Sequence, residues 1–229
     1  IKSVNNNLDK MSKYIDLRKK ELNIKNMHMY DMAVKMTTKE NKDYTYEDAK
    51  KIVSKALNVL GDKYVEDLNN GLSSGWVDVY ENTGKRSGEY SWGCYNAHPY
   101  VLLNYQGKYN DVSTLAHEMG HAMHRFYSNK AQDYFYSDNE IFVAEIASTV
   151  NETLLNFYML KNGTKEEKKN IINCENNINN NFNGQLNNSF NCSFNNNLKI
   201  NDDNNLFNVN YNIKYNNIFM NSKNVNNSF

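Results

Sequence analysis

Net charge is the first thing this sequence lacks: 26 Lys and Arg balance 26 Asp and Glu across 229 residues. With no basic field to draw in phosphate backbones or anionic lipid, neither nucleic acid nor a membrane surface is an expected partner. A bilayer-crossing apolar run is missing too, as is a charged-then-apolar leader with a small-residue cleavage site, so the chain is expected to be soluble. Cysteine is scarce. Cys94, Cys174 and Cys192 are odd in number and unpatterned, which excludes a disulfide framework and fits a reducing, cytoplasmic setting. No thiol-activating arrangement surrounds any of them, and each is read as a free thiol without catalytic role. The length suffices for one domain with a core or for a piece of something larger, and the initial isoleucine suggests that the natural start lies upstream.

Composition changes near Lys168, dividing the chain into a globular portion, 1–168, and a tail, 169–229. From Asn170 onward about two residues in five are asparagine, a low-complexity composition that gives little periodic apolar surface and reads as disordered or as an out-of-frame product of AT-rich DNA. Within the globular portion a helix is expected over Leu8 to Leu22, with Met11, Tyr14, Ile15 and Leu22 at helical spacing. A second follows Thr45, a capping residue with Asp48 in the first turn, and carries Ala49, Ile52, Val53, Ala56, Leu57 and Leu60 on one face. Gly61 marks its end or a bend. Short strands are expected over Trp76 to Tyr80, Glu89 to Tyr95 and Tyr100 to Tyr105, separated by turn residues and by Ala97-His98-Pro99.

The chemistry is concentrated in His117-Glu118-Met119-Gly120-His121. A helix from a cap at Asp111 to about Tyr127 puts His117 and His121 one turn apart on a single face, where both imidazoles reach one ion. Val112, Leu115, Met119, Met123 and Phe126 form an apolar stripe on the opposite face, so the helix is built to bury behind and bind in front. Catalytic zinc needs a third protein ligand and an open position. Glu145 is the candidate, on a second helix whose face of Val143, Ile146, Ala147, Val150, Leu154 and Phe157 is expected to pack, leaving Glu145, Ser148 and Glu152 on the other. Two antiparallel helices joined by the Ser128 to Asp138 loop would aim His117, His121 and Glu145 at one site. Glu152, two turns on, is read either as the acceptor for the second nitrogen of a ligand histidine or as a surface carboxylate. His124 shares the histidine face but is read as outside the ligand set, and His28 has no partner at metal spacing. His98 is read as a turn residue or as part of a cleft.

These residues resemble a known family. His117-Glu118-Met119-Gly120-His121-Ala122-Met123-His124, Phe142-Val143-Ala144-Glu145-Ile146-Ala147-Ser148-Thr149 and Asn151-Glu152 are similar to oligoendopeptidase F, of the thimet oligopeptidase family of zinc metallopeptidases. Asp16-Leu17-Arg18-Lys19-Lys20, His28-Met29-Tyr30-Asp31, Asp78-Val79-Tyr80-Glu81-Asn82, Gly84-Lys85-Arg86-Ser87-Gly88 and Pro99-Tyr100 extend the similarity from about Tyr14 to Leu160. The resemblance implies a mainly α fold with a small β-sheet: the zincin-like catalytic core of a two-lobed helical metallopeptidase, here truncated at both ends. It implies an intracellular endopeptidase acting on short peptides, with one Zn2+ per chain held by His117, His121 and Glu145 and with Glu118 as catalytic base. Glu118 would take a proton from zinc-bound water as it attacks the scissile carbonyl, then pass it to the leaving amine. The stretch Gly88 to Tyr105 corresponds to a sheet edge where an extended peptide pairs, making Tyr90, Tyr95, His98 and Tyr100 candidate substrate-binding residues.

One part of the family pattern is missing. All five histidines lie at or before His124, and no His- and Tyr-rich segment of the kind that stabilises the oxyanion follows Leu160. Loss of one oxyanion donor costs about a hundred- to a thousandfold in rate. The alternative expectation is therefore a zinc-binding fragment of impaired activity.

Overall fold

A computed structural model describes residues 2–6, 8–34, 42–168 and 171. The expectations for the asparagine-rich tail, and those for Cys174 and Cys192, concern residues outside this set.

The chain begins with a single helical turn, α1 (Lys2–Asn5), and then α2 (Leu8–Leu22), which has the bounds expected from its periodicity. What α2 buries is not its apolar stripe: Met11 is 45% exposed, whereas Arg18 is fully buried. The Arg18 guanidinium donates to the Tyr14 hydroxyl and to the carbonyls of Asp31 and Val34, closing the chain around the 3-10 turn Met29–Ala33. A cation that finds several acceptors can be buried where a methionine has nothing apolar to meet.

Helix α3 (Tyr46–Ala56) starts where the sequence indicates, with the Thr45 hydroxyl accepting the Asp48 N–H at 3.1 Å. It buries Ala49, Val53 and Ala56, tightens into a 3-10 turn at Leu57–Leu60, and bends at Gly61, whose φ of 98° suits glycine. Beyond the bend lies a helix that the sequence reading did not anticipate, α4 (Asp62–Ser73), held by Leu68 and Leu72.

The sheet has three short strands, β1 (Val77–Asp78), β2 (Tyr90–Trp92) and β3 (Tyr100–Leu102). Their order is β1-β3-β2, with β1 parallel and β2 antiparallel to β3. Each lies inside its expected range but is shorter. Backbone pairing continues past β1, the Tyr105 N–H donating to the Val79 carbonyl at 3.0 Å, and the Lys85 ammonium donates to the carbonyls of Asp78 and Tyr80 at its end.

Helix α5 (Tyr109–Ala131) runs through the core, and α6 (Ile141–Asn162) packs along it in the opposite direction, Ala116 meeting Asn151 and Gly120 meeting Ser148. Asp111 does not cap α5 from outside as expected. It sits in the first turn, and its carboxylate accepts the N–H groups of Gln106 and Lys108. Val112, Leu115, Met119 and Met123 are all at most 1% exposed, packed among residues that include Val53, Leu57, Leu68, Val101, Leu103 and Leu155. Each such side chain contributes about 1.5–3 kcal/mol, so the back of α5 outweighs the few kcal/mol lost by burying a carboxylate on its front.

The packing face of α6 differs from expectation. Val143 is 44% exposed, Ile146, Ala147, Val150 and Phe157 are half-buried, and of the expected face Leu154 packs, partly buried, against the core. Ser148, Thr149, Asn151, Leu155, Asn156 and Met159 are buried instead. The reason is the closeness of the two helices. A Cβ built on Gly120 would lie 2.6 Å from the Ser148 Cα, so the contact admits small residues only. Asn151 donates to the Ala116 carbonyl at 3.1 Å, and Asn156 accepts from the Tyr109 hydroxyl at 2.6 Å, which satisfies the polar face.

Candidate metal centre

The close α5–α6 contact brings the front of one helix against the carboxylates of the other. His117 Nε2 lies 3.1 Å from His121 Nε2, and the Glu145 Oε2 is 3.5 Å from the first and 3.6 Å from the second. These three residues form the one group among the described residues whose donor atoms converge closely enough to hold a metal ion. Ser148, one turn after Glu145, donates to that same Oε2 at 3.0 Å and fixes the carboxylate.

The other ring nitrogen of His117 faces a different acid. Its Nδ1 is 3.4 Å from Glu152 Oε1, so the two nitrogens of one imidazole are divided between Glu145 and Glu152. Burial works against a positive charge on His117, but the Glu152 hydrogen bond and the charges of Glu152, Glu118 and Glu145 outweigh it and raise its pKa. His121 moves the other way, lowered by burial and by the neighbouring His117.

Glu118 points into the same space. Only 6% exposed, it keeps one oxygen, Oε2, buried without a hydrogen-bond partner. Burial, opposed by His117 and reinforced by Glu145, pushes its pKa up to about 7. A buried orphan acceptor costs about 1–3 kcal/mol, a penalty that a fold carries where a ligand or a reaction engages the group.

A cavity of about 270 Å³ opens beside His117, lined by Glu89, Asn110, Thr114, His117, Glu118 and Glu152. Sequence reasoning missed Glu89, Asn110 and Thr114. Asn110 and Thr114 precede His117 by seven and three residues, so helical periodicity extended upstream would have found them. Glu89 carries no such signal. Of the suggested aromatic cleft residues, none is in this lining. Tyr90 and Tyr100 lie in β2 and β3, about half exposed. Tyr95 donates from its hydroxyl to the Gln132 carbonyl at 2.8 Å, and His98 stacks on Trp76 with its Nδ1 2.8 Å from the Pro99 carbonyl. His124, whose pKa burial and Arg125 lower, is not among the three converging donors.

A His-Glu-x-x-His helix whose two histidines meet a carboxylate from the next helix, beside a buried unpaired glutamate, is the arrangement of the metal-dependent peptidases. The family can be named more closely: the chain belongs to peptidase family M3, whose model matches residues 1–197. It is 44% identical over 169 residues to Oligopeptidase PepF of Bacillus subtilis, an alignment covering 74% of this chain and 25% of that protein. It is 46% identical over 170 residues to an Oligoendopeptidase F homolog of Borreliella burgdorferi, covering 73% of this chain and 29% of the relative. The crystal structure of a protein assigned as a peptidase from Chlamydophila abortus superposes with a TM-score of 0.67 at 44% identity, covering 74% of this chain and 29% of the other. The chain thus spans between a quarter and three tenths of the length of these relatives. No helix among the described residues is long and apolar enough to cross a membrane.

Proposed function

We propose that this chain carries the zinc-binding and proton-transferring centre of an oligopeptidase, a hydrolase that cuts peptide bonds in short peptides. The convergence of His117, His121 and Glu145 beside the orphaned oxygen of Glu118 carries this reading.

The donor set fits zinc. Neighbouring ligands of a tetrahedral zinc at ~2.0–2.1 Å stand about 3.3–3.4 Å apart, and the donor atoms here are separated by 3.1, 3.5 and 3.6 Å. Two imidazoles and one carboxylate also leave a position open, as catalytic zinc requires. When bound, zinc supplies a Lewis acid that polarises the scissile carbonyl and brings the pKa of water toward neutrality.

The rest of the chemistry falls to the chain's own side chains. His117, His121 and Glu145 hold the ion, Ser148 fixes Glu145, and Glu152 orients His117 through its far nitrogen. The Glu118 carboxylate takes the proton of the attacking water and delivers it to the leaving amine. Strand β2 is paired on one side only among the described residues, so an extended peptide can add to its free edge by backbone hydrogen bonds. Scarce, unpatterned cysteines favour the cytoplasm as the place of action.

A second reading, a zinc centre of low turnover, draws on the position of all five histidines at or before His124. Hydrolysis of a quenched fluorescent peptide separates the two. Cleavage that a chelator stops and Glu118→Gln lowers by about a hundred- to ten-thousandfold supports the peptidase. Cleavage indifferent to both sinks it.

A further inference from the structure

Glu89 has no part in the chemistry above, yet it faces the same cavity. One wall of that cavity is α5, with Asn110, Thr114 and His117 on successive turns and Glu118 next to His117; α6 supplies Glu152, and Glu89 lies just before β2. Three of the six lining side chains are carboxylates and none is Lys or Arg. Glu152 is engaged by His117. Glu118, 6% exposed, lines the space and keeps one buried oxygen without a hydrogen-bond partner. Glu89 is exposed, and among the described residues its carboxylate has neither an ion-pair nor a hydrogen-bond partner.

Carboxylates gathered around one small space repel one another, and their summed field favours whatever positive charge enters. Of the three, Glu89 alone is uncommitted to the metal or the proton. It also stands at the start of the strand whose free edge would guide an extended peptide, so a substrate on that edge passes it on the way to His117 and Glu118.

Resting on the peptidase reading, we infer that Glu89 is a specificity residue of this cleft: its carboxylate receives a cationic nitrogen of the peptide substrate near the bond to be cut. That nitrogen belongs to a Lys or Arg side chain or to a free amino terminus, two sources with the same chemistry.

The test uses the full chain, equilibrated with zinc and carrying Glu118→Gln so that bound peptide is not cut. Labelled short peptides with lysine or norleucine at one position, each with a free or an acetylated amino terminus, are titrated by fluorescence anisotropy. A cationic group is expected to tighten binding about two- to fivefold, the range of a solvent-accessible ion pair. High salt should shrink the preference. Adding Glu89→Gln should remove it while leaving the affinity of the acetylated norleucine peptide unchanged, which also shows that the fold is intact. A preference for lysine that persists after acetylation identifies the side chain, and one abolished by acetylation identifies the amino terminus. Equal affinity for all the peptides, or a preference that survives Glu89→Gln, overturns the assignment and leaves the peptidase reading standing. Failure to bind any of them overturns both.

Discussion

His117 is held from both sides, with Nε2 toward His121 and Glu145 and Nδ1 toward Glu152. Glu152→Gln keeps the side-chain length but removes the charged acceptor that fixes the ring. Zinc affinity, read by competition with a chromophoric chelator, is expected to fall about 10- to 100-fold with the fold unchanged; an unchanged affinity would make Glu152 an ordinary surface carboxylate. Most of this constellation was legible in the sequence, because a helix converts spacing into direction: four residues put His121 over His117, and seven put Glu152 on the face of Glu145. Glu89 was not legible. It reaches the cavity through a turn and a strand, and neither gives a periodicity that points at α5.

At the scale of the element, the α5–α6 contact decides whether the donors meet. Gly120 sits between His117 and His121 in sequence and against the α6 backbone in space, with Ser148 Cα 2.6 Å and the Ala147 carbonyl oxygen 2.9 Å from where a Cβ would be. Gly120→Ala gains helix propensity yet forces backbone against backbone, which cannot yield as a side-chain tip can. A net loss of about 1–3 kcal/mol is expected in urea denaturation, together with weaker zinc binding as the helices part. Stability equal to or above the parent would contradict the close contact. The bounds of α2 and the Thr45 cap of α3 were readable because caps and periodicity are local. The packing face of α6 was not, because hydrophobicity alone points to Val143 and Val150, whereas the tight contact selects Ser148, Asn151 and Asn156. Helix α4 escaped for a similar reason, since its buried face mixes Leu68 and Leu72 with Asp67 and Gly71.

Across the whole molecule, the segment after α6 is tied back to the segment before α3. Glu167 accepts from Lys42 at 3.1 Å, from the Tyr44 hydroxyl at 2.9 Å and from the Thr164 N–H at 2.7 Å. Burial raises its pKa, but these bonds prevail and bring it down to about 2. A carboxylate depressed on folding stabilises fully above its unfolded pKa, near ~4.3, and its contribution fades as pH falls from there through about 2. Glu167→Gln should therefore lower the melting temperature at pH 6 and lose less than the parent on acidification to pH 2.5. Parallel losses in the two proteins would discount the tie. The chain spans 25% and 29% of the Bacillus subtilis and Borreliella burgdorferi relatives, so a rate measured on it speaks for that span only. The metal content is therefore a more direct test than the rate. Metal analysis of the purified chain, its Glu118→Gln variant and its His117→Ala variant is expected to give one zinc per chain in the first two and none in the third. Zinc absent from the parent chain, or retained after His117→Ala, would contradict the centre assigned to His117, His121 and Glu145.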